Sequence, residues 1–251
     1  MTSPFVIDAD TVPAQPMEGA ASTERALLGP HTGSPWLQQS LLECPPSGSA
    51  RRTTGEAEEV LFVLAGRGSL RVSGNAHALE PEAGAYVAPG QEYQLTAGTA
   101  EALRLVSVRV PDPAPGAGGA EVVRRLSEQD AEGATSDREF RVIADPTTGL
   151  KSATHFVGYI PTTRAPEHFH TYDEVIYVLD GEGRFHAEGR STPLRPGSCI
   201  ALPARTIHCL ENTGRDVMRV VAVFRPAGSP AAAYYPDGTP AYPGAPPISS
   251  R

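Results

Sequence analysis

Four side chains in the second half of the chain have the types and spacing of a metal site. His168 and His170 stand two residues apart, Glu174 follows, and His208 lies 34 residues beyond Glu174. On an extended strand, residues i and i+2 project from one face, so both imidazoles can reach the same ion. Glu174 keeps the even spacing and adds a carboxylate, and His208 has to arrive from a neighbouring strand to close the set. Three neutral imidazoles and one carboxylate leave one or two positions open on a metal that takes five or six ligands. An open position is what separates a catalytic site from a closed structural one. His31, His77, His155 and His186 lack such company and are read as surface or core residues, and alternation turns Glu167 away from the ion. Cys44, Cys199 and Cys209 are an odd count without C-x-x-C spacing, which fits buried reduced thiols in a cytoplasmic protein.

The elements that must position these residues read as strands. Glu59-Val-Leu-Phe-Val-Leu64 is matched 115 residues later by Glu174-Val-Ile-Tyr-Val-Leu179, and Gly66, Gly68, Gly74, Leu79 and Pro81 recur as Gly181, Gly183, Gly189, Leu194 and Pro196. The chain therefore reads as two copies of one module, divided into residues 1–115 and 116–251. Each copy has a β-branched run ending in a G-x-G turn, then alternate apolar positions at Leu70 and Val72 or at Phe185 and Ala187. Further strands are expected at Ala153–Ile160, Ser198–Leu202, Ile207–Leu210 and Val217–Phe224. Pro111–Ala120 has linker composition, and Glu121–Ala131 reads equally as a short helix or a strand. The first twenty or so residues read as loop, and the Pro/Tyr-rich stretch after Phe224 as an extended arm lying on the barrel or on a partner. The same offset places Thr53, Gly55, Glu59 and Tyr93 opposite His168, His170, Glu174 and His208, so only the second copy carries a full ligand set.

These segments resemble the cupins. Pro166-x-His168-x-His170-x3-Glu174-x6-Gly181 matches the first cupin motif, and Gly197-x5-Pro203-x4-His208-x3-Asn212 the second. With the repeat, the chain resembles a bicupin whose metal motif is intact only in the C-terminal copy, the resemblance covering about residues 50–110 and 150–225. It implies an all-β fold of two tandem double-stranded β-helix (jelly-roll-like) barrels, with one divalent metal in the second. Arg205 stands where the family usually has glycine in P-x-G-x2-H, which alters a turn beside the site without removing a ligand.

With 25 Gly, 25 Pro and 40% apolar residues, the 251-residue chain suits short strands and turns around a core, and argues against helical bundles. A net charge of −8, with no clustered basic patch, argues against nucleic-acid partners. No apolar run reaches the ~18 residues of a membrane span, and no secretory leader is read at Met1 to Asp10. The expected function is a metal-dependent enzyme on a small organic substrate, first an Fe(II)-type dioxygenase, with Mn, Ni, Zn or Co as other candidate ions. Non-redox lyase, isomerase or hydrolase chemistry is the second expectation, and a metal-containing binding protein the third. Ile176, Val178 and Phe185 are expected to line the substrate cavity, and exposed sheet edges favour a homodimer.

Overall fold

In the computed structural model, residues 5–17, 21–116, 122–135, 137–242, 245 and 248 are described. The apolar runs form the central strands expected of them, Glu58–Ala65 in the first half and Asp173–Asp180 in the second. The other expected strands appear as Thr154–Ile160, Ser198–Leu202, His208–Asn212 and Met218–Arg225. Among the described residues the helical segments are three short 3-10 turns, at Ala9–Thr11, Pro30–Thr32 and Leu126–Glu128. None is long and apolar enough to cross a membrane.

The strands assemble into two seven-stranded sheets, each with a smaller sheet against its outer face. One runs Val6–Asp8, Ser198–Leu202, Asp173–Asp180, Met218–Arg225, Thr154–Ile160, Glu139–Ala144 and Glu132–Gly133, and faces a three-stranded sheet of Arg190–Leu194, Gly183–Ala187 and His208–Asn212. The other is centred on Glu58–Ala65 and Leu103–Val110 and faces a four-stranded sheet that contains Ser49–Thr53 and Glu92–Ala97. The pairings are antiparallel.

Alternation explains why the central strands are apolar on both sides. Val175 and Tyr177 pack with Val60 and Phe62 in a core between the two large sheets, whereas Ile176 and Val178 face inward with Phe185. Leu61 and Val63 do the same for the first half. A strand buried on both faces reads as an unbroken apolar run. In the outer sheets only one face is buried, so Leu70 and Val72 alternate with exposed Arg71, and Phe185 and Ala187 with half-buried His186.

Two strands depart from a division at residue 115. Val6–Asp8 pairs with Ser198–Ile200 and so belongs to the large sheet of the second half. Val123–Arg125, in the segment read as helix or strand, pairs with Ala83–Ala85 and belongs to that of the first. The N-terminus is thus not simply loop. The arm after Phe224 lies on the second half, where Ala231, Ala232, Ala233 and Tyr234 are buried and Phe169 bridges to Tyr234. Part of the expected linker, residues 117–120, and tail positions Pro243, Pro246 and Pro247 lie outside the described residues.

Candidate metal centre

His168 and His208 face each other across a β-bridge closed by two backbone hydrogen bonds, His168 N to His208 O at 3.0 Å and His208 N to His168 O at 2.9 Å. Phe169 turns the other way, stacking on Tyr234 at 5.7 Å between centroids, and this returns His170 to the side of His168. The three imidazoles form a near-regular triangle, with centroids 5.0, 4.6 and 5.1 Å apart. One ring nitrogen from each lies within 4.8 Å of the others.

Each Nδ1 contacts a backbone carbonyl, Pro166 O at 2.9 Å for His168, Ala232 O at 3.0 Å for His170 and Thr206 O at 2.9 Å for His208. A carbonyl only accepts, so Nδ1 carries the proton in all three and Nε2 is left as a lone pair. Burial keeps the rings neutral: it pushes His170 down to about 3, and lowers His168 and, further, His208 from the usual histidine range. Three converging lone pairs repel one another, and among the described residues none donates to them. A cation resolves the repulsion, and a neutral imidazole whose other nitrogen is held by a carbonyl is the form that ligates metals. The donor set fits a divalent transition metal.

These rings line a cavity of about 100 Å³. Phe140, Phe156, Ile160, Ile176, Leu210 and Val220 give it apolar walls, while Arg138, Tyr172 and Glu174 bring polar groups. Tyr172 stacks on His170 at 4.6 Å and on Phe224 at 3.9 Å, which fixes the plane of His170 from the side. Of the expected residues, His168, His170 and His208 come together. Glu174 lines the same cavity, but its carboxylate is outside the group of donor atoms within 4.8 Å. Burial pushes Glu174 up to about 8, with no hydrogen bond from a described residue to hold its charge. Ile176 lines the cavity as expected. Val178 and Phe185 do not: both are buried in the core behind it, Phe185 with its ring 6.0 Å from that of His208. Arg138, Tyr172 and the carbonyl of Ala232 were not singled out in the sequence.

Arg205 stands in the backbone region that favours glycine. Its φ of 65° is left-handed, and its N–H donates to His170 O at 2.7 Å.

The first half holds a different solution at the equivalent place. There Tyr93 pairs with Arg52, as His208 does with His168, so Arg52 rather than Thr53 occupies the position of His168. The Arg52 guanidinium donates to Glu59 and Glu24, both at 3.1 Å, and to the Tyr93 hydroxyl at 2.8 Å. Ser107 adds a hydrogen bond to Glu59 at 2.6 Å. A covalently tethered cation stands where the second half gathers its imidazoles.

Residues 155–224 match the Cupin_2 cupin-domain model. The matched segment contains His168, His170, Glu174 and His208. An oxalate-binding protein of Thermotoga maritima is 35% identical over 51 residues, which are 20% of this chain and 42% of that protein. The match thus spans less than half the length of that curated relative. The architecture is similar to protein Ylba from E. coli, at a TM-score of 0.75 and 15% identity over 88% of this chain and 89% of that one. It is also similar to a point mutant of Bacillus subtilis oxalate decarboxylase OxdC, at a TM-score of 0.74 and 13% identity over 95% of this chain and 81% of that one. At such identities the likeness establishes a cupin-like all-β fold.

Proposed function

We propose that this chain is a metal-dependent enzyme acting on a small organic molecule that binds directly to one divalent metal held by His168, His170 and His208. The convergence of three Nε2 lone pairs within 4.8 Å, with every Nδ1 tied to a carbonyl, carries this reading. Glu174 is the proposed fourth ligand, being buried on the same wall. In this reading the two pairs of sheets are tandem cupin barrels. The first is metal-free, its centre held by the Arg52–Glu59 ion pair.

Size limits the substrate. An apolar cavity of ~150 Å³ takes a benzene molecule, so about 100 Å³ suits a molecule of only a few heavy atoms. When bound, the metal supplies Lewis acidity or a one-electron centre to whatever ligates it. The protein contributes the rest. The backbone carbonyls of Pro166, Ala232 and Thr206 keep the imidazoles aimed inward, and the Tyr172 ring and the tail segment Pro230–Ala233 exclude water. Glu174, in an environment that favours its neutral form, is placed to donate a proton and take it back when it is not a ligand.

Dioxygenation at an Fe(II)-type centre is the first chemistry proposed for this site. Non-redox cleavage is the second, with the metal acting as a Lewis acid. The test begins with elemental analysis of protein purified without oxygen or chelator, beside His168→Ala. One equivalent of metal in the wild type, lost in the variant, supports the centre, and a metal-free wild type after reconstitution refutes it. Consumption of O2 coupled to substrate loss then supports the oxygenase, whereas full turnover under argon assigns the non-redox chemistry.

A further inference from the structure

A guanidinium lies at the wall of the three-histidine cavity without a counter-charge. Arg138 Nη2 donates to Leu210 O at 2.7 Å, while Nη1 is buried and has no hydrogen-bond partner. No carboxylate of a described residue forms an ion pair with it. Glu139, its neighbour on the cavity rim, is exposed and not paired with it. The chain shows elsewhere what a buried guanidinium normally has: Arg52 is held by Glu24 and Glu59, both at 3.1 Å. Arg138 itself is half-buried, but its Nη1 is a buried donor with no partner, which is unfavourable unless a partner arrives from outside the fold.

We propose that Arg138 is the anion-recognition residue of this cavity and that the molecule the site takes carries a carboxylate, which accepts from Arg138 Nη1 while the rest of the molecule reaches the metal. The proposal rests on the reading of the cavity as a substrate site. A carboxylate fits better than a phosphate for two reasons. One free guanidinium arm matches a two-oxygen head, since the other arm is held by Leu210, whereas a phosphate presents more oxygens than these walls have donors to serve. The cavity of about 100 Å³ is otherwise walled largely by apolar side chains such as Phe140, Phe156 and Val220, which suits one charged end on a small organic body. Burial lowers Arg138 from the usual arginine range, consistent with the missing partner, yet leaves it fully cationic at neutral pH.

The test uses the full chain, with oxalate and pyruvate as probes, oxamide as the uncharged counterpart of the first, and inorganic phosphate as the competing anion. Thermal unfolding and calorimetric binding are measured for wild type, Arg138→Gln and Arg138→Lys, with metal content determined on each sample. Oxalate or pyruvate should raise the melting temperature of the wild type, and oxamide should not. Arg138→Gln should weaken carboxylate binding by about 10- to 100-fold, as for the loss of one charge-assisted hydrogen bond, with metal content unchanged. Arg138→Lys should recover part of that loss. Without any probe, Arg138→Gln should melt close to wild type, because losing a charge without an ion-pair partner offsets losing the hydrogen bond to Leu210 O. Equal carboxylate binding by wild type and Arg138→Gln overturns the proposal, as does a wild type that responds to neither carboxylate. A response to phosphate alone replaces the carboxylate with a phosphoryl ligand and also overturns it. A metal-free wild type whose carboxylate response still requires Arg138 would instead refute the metalloenzyme reading and leave this one standing.

Discussion

Replacing Arg52 by methionine tests the idea that the first half is held by an internal cation where the second gathers three imidazoles. The Arg52 side chain is 9% exposed and that of Glu59 is wholly buried. Without the guanidinium, Glu59 keeps the Ser107 hydroxyl at 2.6 Å and Arg109 Nε at 3.9 Å, and its Oε2 has no hydrogen bond. Tyr93 and Glu24 lose a donor as well. Breaking a buried ion pair on one side costs about 3–5 kcal/mol, because the remaining charge stays in the interior. At ~2–4 °C per kcal/mol for a chain of this size, the melting temperature should fall by about 6–20 °C. Urea unfolding followed by far-UV circular dichroism measures the loss directly. The double variant Arg52→Met/Glu59→Leu removes both charges and should regain most of it, since a well-packed apolar pair is often as stable as the ion pair it replaces. Metal content per folded chain should not change. A single variant within about 1 kcal/mol of wild type would refute the reasoning, as would a double variant as weak as the single one.

Three further outcomes are expected. His208→Ala should abolish metal binding, whereas Tyr93→Phe should leave the metal equivalent unchanged, both read by elemental analysis. Arg205→Gly should stabilise the protein by about 0.5–1 kcal/mol, because it relieves a left-handed arginine and keeps the N–H that serves His170; a lower denaturation midpoint would contradict this. Burial holds His155 down to about 3, so between pH ~6.5 and 3 the unfolded chain takes up a proton that the folded chain refuses. Stability should therefore decline as the pH falls through that window, by about 2 kcal/mol at pH 5 from this residue alone. His155→Gln should flatten the decline relative to wild type in denaturant titrations at pH 7 and pH 5.

Much of the architecture was legible because both central strands are buried on two faces and both outer hairpins on one, and these conditions write different apolar patterns. The pairing of His168 with His170 followed from parity, with Phe169 turned away between them as alternation requires. Glu174 also lines the cavity on the face shared with Ile176, although Thr171 and Tyr172 form a bend ahead of the strand that begins at Asp173, and its carboxylate stops outside the group of three imidazole nitrogens. Parity gives the face and not the reach across such a bend. A constant offset misplaced the equivalent of His168 in the first half. The stretch from Arg52 to Glu59 is one residue longer than that from His168 to Glu174, which a constant offset does not register. Val178 shares the inward face of Ile176, but that face continues past the cavity into the closed core. Arg138 and the Ala232 carbonyl gave no local signal, since their roles come from segments far from the motif that fold back over it.

The exchange of Val6–Asp8 and Val123–Arg125 between the large sheets ties the two halves together at their edges. Each half lends the other an outermost strand, so neither large sheet is complete from its own half alone. A fragment cut at the linker would expose Ser198–Ile200 or Ala83–Ala85 as an open edge, prone to pairing with a second chain. The internal repeat supplies two similar modules, and this reciprocal loan binds their fates. Loss of the first half would therefore strip an edge strand and the packing against Val175 and Tyr177 from the half that carries the three histidines, although it contributes none of them.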